Sequence, residues 1–298
     1  MFWLLLALLA AFFTSMTTIL AKIGIKNVNS NFATFYRTGI VIIFCIVLCL
    51  LQSGFKDIPN LTTKNILFLV LSGIATGCSW LCYYKALQLG NINKVAPIDK
   101  SSFVLTSILF LIFFYNDSTN NGNVRTILAL FVSIMLMLIG TILMITKQDV
   151  SDVKSKKWFI YAILSSVFAA FVSLFVKMGL KGVNSSLGTL LRTIVVFIFA
   201  LTIVLFRKDY KDASKITLKS WIFLTLSGIA TGGAWICEYS ALNIDGVNPI
   251  IVSSIVKLSI LLTMLFSFII LKEKFTKRSL LGLTLLSLGI IVIVIFGL

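Results

Sequence analysis

The 298-residue chain is 59% hydrophobic and only 12% charged, with a mean hydropathy of +1.06. That is more apolar surface than a soluble globular protein can hide, so the bilayer is its expected environment. The absence of histidine excludes histidine metal sites and histidine acid–base chemistry, and the net charge of +16 sits mostly in loops, where topology accounts for it without nucleic acid.

Ten apolar segments run along the chain, over approximately 2–21, 32–51, 64–87, 93–115, 124–145, 158–176, 188–206, 219–242, 249–271 and 278–297. Each is long enough to cross roughly 30 Å of hydrocarbon. The first run, Met1–Ala21, has no basic n-region and suits a spanning helix better than a cleaved signal peptide. Most connections are short, so successive helices are expected as antiparallel neighbours. The polar stretch 147–157 divides the chain into 1–146 and 158–298, each with five segments. Five is odd, so the second half enters the membrane in the opposite orientation. The expected fold is an all-α polytopic membrane protein of ten transmembrane helices in two inverted-topology five-helix repeats.

Lys and Arg set the expected sidedness. Linkers after the odd-numbered segments hold sixteen of them against five on the other side. This places the first group in the cytoplasm and both termini outside, in a multi-pass plasma-membrane protein.

The halves are also alike in sequence. Leu71–Leu87 reads LSGIATGCSWLCYYKAL and Leu226–Leu242 reads LSGIATGGAWICEYSAL, an offset of 155 positions. The same offset pairs Trp3 with Trp158, Lys22 and Lys26 with Lys177 and Lys181, Asn29-Ser30 with Asn184-Ser185, and Arg37-Thr38 with Arg192-Thr193. The chain is therefore a duplicated unit.

Within each unit, Gly73/Gly77 and Gly228/Gly232 form GxxxG pairs that let two helix backbones approach closely in lipid. Just beyond them, Trp80, Tyr83 and Tyr84, and Trp235, Glu238 and Tyr239, each line one helical stripe. An interfacial aromatic belt explains such stripes; a cavity wall is favoured because ionisable residues accompany them. Cys45/Cys49 and Cys78/Cys82 have i,i+4 spacing, but cysteine packs well as a small hydrophobe, and no metal or cofactor is expected.

Seven ionisable residues fall inside the spans: Arg37, Lys85, Asp99, Lys100, Arg192, Glu238 and Lys257. A charge in hydrocarbon costs at least about 2.5–3.5 kcal/mol unless it snorkels, pairs or faces water. Arg37 and Arg192 lie near helix starts, where snorkelling is the leading reading. Lys100 and Lys257 lie deeper and are near-equivalent in the repeat. They are the expected substrate-binding cations, with Trp80, Tyr83, Trp235 and Tyr239 as walls. Asp99, Glu238 and Lys85 are the expected coupling or charge-pairing groups, through the pairs Lys85–Asp99 and Glu238–Lys257. A purely structural buried ion pair is the alternative.

The doubled LSGIATG stretch, the VAPIDKSS run at Val95–Ser102 and the Lys-x-Gly-x-Lys ends of the first and sixth segments resemble the EamA family of the drug/metabolite transporter superfamily. The resemblance covers the whole chain. It implies ten helices in two inverted repeats and a secondary transporter whose central cavity is lined by both halves, moving small metabolites such as amino acids. The family's acidic residue after the ninth helix is present as Glu273, whereas the first half has Tyr115-Asn116-Asp117 there. In the second half VSSIVK at Val252–Lys257 replaces VAPIDK, so Asp99 has no acidic counterpart.

The expectation is a solute carrier rather than an enzyme. The GxxxxGK[ST] motif is absent, so ATP does not drive it directly; a proton or sodium is the expected coupling ion. Five embedded cations against two acids favour an anionic or carboxylate-bearing small molecule. Lipid-linked sugar flippase and choline-type importer are alternatives within the class, the latter because an aromatic box suits a quaternary ammonium. A non-transporting membrane scaffold is the alternative outside it.

Overall fold

In a computed structural model the described residues are 2–25, 28–89, 95, 98–99, 101–116, 122–144, 157–210, 213, 216–271 and 276–296. Helices α1 (Phe2–Gly24), α2 (Ser30–Leu51), α3 (Thr63–Leu89), α4 (Ser102–Phe113) and α5 (Val124–Met144) form the first half. The second half contains α6 (Lys157–Gly179), α7 (Ser185–Arg207), α8 (Leu218–Leu242), α9 (Pro249–Val256), α10 (Ser259–Leu271) and α11 (Lys277–Phe296). Eight spans among the described residues are long and apolar enough to cross a membrane, α9 running into α10 as one of them, and two shorter apolar helices accompany them. Large apolar side chains such as Leu51, Ile112, Phe206 and Ile269 point outward, as a lipid-facing surface requires. The protein is an all-helical polytopic membrane protein.

Helix starts follow local capping chemistry. Asn29 caps α2 by accepting from the Asn31 N–H, and Asn184, its copy 155 positions on, caps α7 by accepting from Ser186 and Leu187. Asn248 caps α9 and Pro249 occupies its first turn, where proline's missing N–H costs nothing.

Two predicted segments differ from single helices. Segment 249–271 breaks at Lys257–Leu258 into α9 and α10. The Lys257 N–H is shared between the Ser253 and Ser254 carbonyls, and Leu258 bonds three residues back to Ile255, tightening one turn. Ser254 Oγ donates to the Ile250 carbonyl at 2.7 Å, a back-bond that bends helices. In segment 93–115, α4 begins only after a turn at Ser101, whose N–H donates to Ile98 O and whose hydroxyl donates to the same oxygen at 2.6 Å. The break at Lys257–Leu258 contains neither Pro nor Gly.

Most close packing is between halves. α3 lies along α6 and α1 along α8; α2 meets α7, α5 meets α11, and α2 and α3 also meet α8 and α7. Glycines mark the tightest approaches. A Cβ on Gly73 would stand 2.7 Å from Val195 Cβ, and one on Gly77 would collide with the Phe199 ring. In the copy, a Cβ on Gly228 would stand 2.8 Å from Ile40 Cβ and one on Gly232 2.5 Å from Phe44. Contacts at 73 and 77 meet residues 195 and 199 in the same order, so α3 and α7 run parallel. By the same test α8 runs parallel to α2. α1 and α8 run antiparallel: Gly24 abuts Leu224, whereas Thr17 lies at Thr231 and Gly233 against Phe13.

Candidate functional site

One tryptophan from each half, Trp80 on α3 and its copy Trp235 on α8, stack with centroids 6.4 Å apart and planes at 20°. Their pairing puts the seam between the halves at this point. Against Trp235 lies Arg192 of α7, its guanidinium carbon 4.7 Å from the Trp235 ring centre and 5.1 Å from that of Tyr239. Both contacts fit cation–π geometry.

Arg192 corrects the snorkelling expectation, since its side chain is only 1% exposed. It starts two turns into α7, where α3 supplies hydrogen-bond acceptors. Arg192 Nε donates to Ser72 Oγ at 3.2 Å and Nη2 to Thr76 Oγ1 at 2.7 Å. Those hydroxyls in turn donate to the Leu69 and Ser72 carbonyls. Their protons are spent on the α3 backbone, so both present lone pairs to the guanidinium. Arg192 Nη1 is buried without a hydrogen-bond partner. No carboxylate among the described residues lies within ion-pair distance of Arg192.

The first half holds a related arrangement. Arg37 Nη2 donates to Thr231 Oγ1 at 2.9 Å, and Thr231 is the copy of Thr76. Arg37 is half-buried, which departs from free snorkelling less than Arg192 does. A half-open cleft between α2, α3 and α7, walled by Asn31, Thr34, Trp80, Leu81, Phe199 and Ile203 among others, reaches Trp80 but not Arg192.

The residues singled out from the sequence scatter around this centre. Tyr239 is buried under the Arg192 guanidinium. Tyr83 packs against a separate cluster of Ala86, Val95 and Ala162. Lys257 is half-buried at the α9–α10 break, and Glu238 is half-buried on α8. Asp99 accepts a 2.7 Å hydrogen bond from Ser165 of α6, while Lys85 is exposed and forms no ion pair with Asp99. Lys100 lies outside the described residues. Gly73, Gly77, Gly228 and Gly232 lie at the inter-half contacts described above. Arg192 is the residue that sequence reasoning passed over. The signal was present: its Ser72/Thr76 acceptors and their copies Ser227/Thr231 stand four apart on the face of the GxxxG helices.

Each face of the bundle carries a polar loop contact across the halves. On one, Asn29 and Asn31 donate to the two Asp209 oxygens at 2.9 and 2.8 Å. On the other, Asp57 accepts from the Asn184 N–H at 3.0 Å, and Ser186 Oγ donates to Gln52 at 2.6 Å.

The EamA-like transporter family model matches residues 1–146 and again 156–295. The chain belongs to the EamA-like transporter family. It is similar, at 41% identity over 113 residues, to a Sinorhizobium sp protein described as an uncharacterized transporter in the cobO 3' region. The match spans 37% of this chain and 79% of that protein, so the relative is close to half this chain's length. A protein of known crystal structure shares the fold, with a TM-score of 0.71 at 12% identity over 99% of this chain and 97% of its own. The chain is thus a multi-pass membrane transporter.

Proposed function

We propose that this transporter carries a small carboxylate-bearing metabolite, an amino acid or a related solute, by alternating access between two inverted repeats in the plasma membrane. The observation that carries the reading is the exchange of close contacts under the 155-residue offset. Gly73 meets Val195 as Gly228 meets Ile40, and 40 becomes 195 under that offset. α7 is the copy of α2, yet it runs parallel to α3, the helix that follows α2 after the connection 52–62 with its 3-10 helix Gly54–Asn60. A repeat related by inversion requires that direction, and half-bundles so related can rock about a shared seam. The stacked Trp80–Trp235 pair sits on the seam. A relative near half this length, described as a transporter, supports one repeat as the elementary unit. The surplus of embedded cations supports an anionic solute, with Lys100 and Lys257 as further binding groups and Asp99 and Glu238 as proton- or sodium-coupling groups. The positive charge of the linkers after the odd-numbered segments supports their cytoplasmic placement.

The test is uptake into proteoliposomes holding the full chain, with carboxylate metabolites offered under imposed proton and sodium gradients. The expected result is saturable uptake driven by one gradient. Glu238→Gln and Asp99→Asn should flatten its pH dependence, because intramembrane carboxylates are the usual proton relays. Unaltered pH dependence in both variants removes the proton from the mechanism. No gradient-driven or exchange flux for any anion removes the carrier reading.

A further inference from the structure

The geometry points to Arg192, an arginine of the second half held by two hydroxyls of the first, as the anchor for the anionic group of the solute. The inference rests on the transporter reading above and assigns its substrate a single carboxylate, held at a site composed of Arg192, Ser72, Thr76, Trp235 and Tyr239.

A buried guanidinium needs a counter-charge or a full set of hydrogen bonds, because removing an ion from water costs several kcal/mol even after relaxation. Arg192 has neither. Its two hydroxyl partners are neutral, and both are fixed as acceptors because their own protons bond the α3 carbonyls. They hold the fork in place without cancelling its charge. The two rings lie over its faces and shield it from water. What remains is one nitrogen, Nη1, buried and without a partner.

One nitrogen with two N–H groups suits one oxyanion. A monocarboxylate matches the charge of this single guanidinium, whereas a phosphate carries about −1.5 to −2 and would be left partly uncompensated. The site also has an apolar side, since Trp235 stacks on Trp80 at the seam. A carboxylate on a small flat or aliphatic body therefore fits, with its charge on Arg192 and its body along the indoles. Arg37 differs from Arg192 in burial: it is half-buried, whereas Arg192 is almost wholly enclosed.

Three probes of one shape separate charge from fit: benzoate, benzamide and benzamidine. Each is titrated into the purified full chain, with thermal stability and tryptophan fluorescence as readouts; acetate and glycine are added as smaller carboxylates. Benzoate is expected to stabilise the protein and quench its fluorescence saturably, and benzamide and benzamidine to bind at least tenfold more weakly. Arg192→Met should weaken carboxylate binding roughly ten- to a hundredfold, the loss of one charged hydrogen bond. Arg37→Met should leave it within about twofold. Should Arg192→Met fail to fold, Arg192→Lys keeps the charge but moves the donor; it should preserve the preference for benzoate over benzamide at about tenfold lower affinity. Equal binding of benzoate and benzamide, no response to any carboxylate, or unchanged affinity in the folded Arg192 variant each overturns the anchor. Flux that survives Arg192→Met with unchanged KM sinks the anchor and leaves the carrier. Carboxylate binding without flux leaves the anchor and sinks the carrier.

Discussion

Arg37 and Arg192 occupy the same position in the two halves, and their surroundings have diverged. Each donates through Nη2 to the copy of one threonine, Thr231 for Arg37 and Thr76 for Arg192. Arg192 also takes its serine, lies over two aromatic rings and is fully buried, whereas Arg37 is half-buried. The duplication thus preserves the helix contacts and frees the polar chemistry to differ. Packing is alike because both halves meet at the same seam, and the anchor proposed above uses the arginine of one half.

The largest expected effect tests the symmetric part. A Cβ on Gly140 of α5 would stand 2.6 Å from the Gly282 carbonyl and 2.8 Å from the Leu286 nitrogen of α11, both backbone atoms. The three atoms nearest a Cβ on Gly77 belong to the Phe199 ring, a side chain rather than backbone. Gly140→Ala should therefore fall at the upper end of the overpacking range of about 1–3 kcal/mol, and Gly77→Ala at the lower end. Thermal denaturation of the purified variants reads both. Wild-type stability in Gly140→Ala would mean that α5 and α11 do not approach this closely.

A smaller effect tests whether the two faces act independently. Asp209→Ala removes the partner of Asn29 and Asn31, and Asp57→Ala that of the Asn184 N–H. Each contact is partly exposed and contributes about 1 kcal/mol. Hydrogen exchange should rise over residues 28–31 in Asp209→Ala and over 184–188 in Asp57→Ala, with the opposite face unchanged. Equal loosening of both faces in either variant would couple what the structure presents as separate closures.

The membrane class and the likeness of the halves are legible in the sequence because apolar length and a seven-residue identity, LSGIATG, are local signals. The partners of each helix are not, since a small residue announces close approach without naming what approaches. The same limit hid Arg192. Seven residues from a helix start, it reads as a snorkelling charge; Ser72 and Thr76, on another helix and over a hundred residues away, hold it inward. The break at Lys257 escaped because hydroxyl back-bonds and a shared carbonyl produce it, with no proline or glycine to mark it. The Lys85–Asp99 pair followed from comparable depth on neighbouring segments, but depth does not set rotation about the helix axis, and Lys85 faces outward.

The most direct test of alternating access needs no known substrate. In a background lacking the five native cysteines, Thr76→Cys beside Arg192 reports access to the buried site. A short bifunctional thiol cross-linker then closes one face through Asn31→Cys and Asp209→Cys, or the other through Gln52→Cys and Ser186→Cys. The crosslink is made before the reporter is exposed to a membrane-impermeant thiol reagent in vesicles of known orientation. The account expects the reporter to react only from the Gln52–Ser186 face when the Asn31–Asp209 face is closed, and only from the Asn31–Asp209 face in the converse case. Reaction from the same face in both constructions, or from neither, would contradict it.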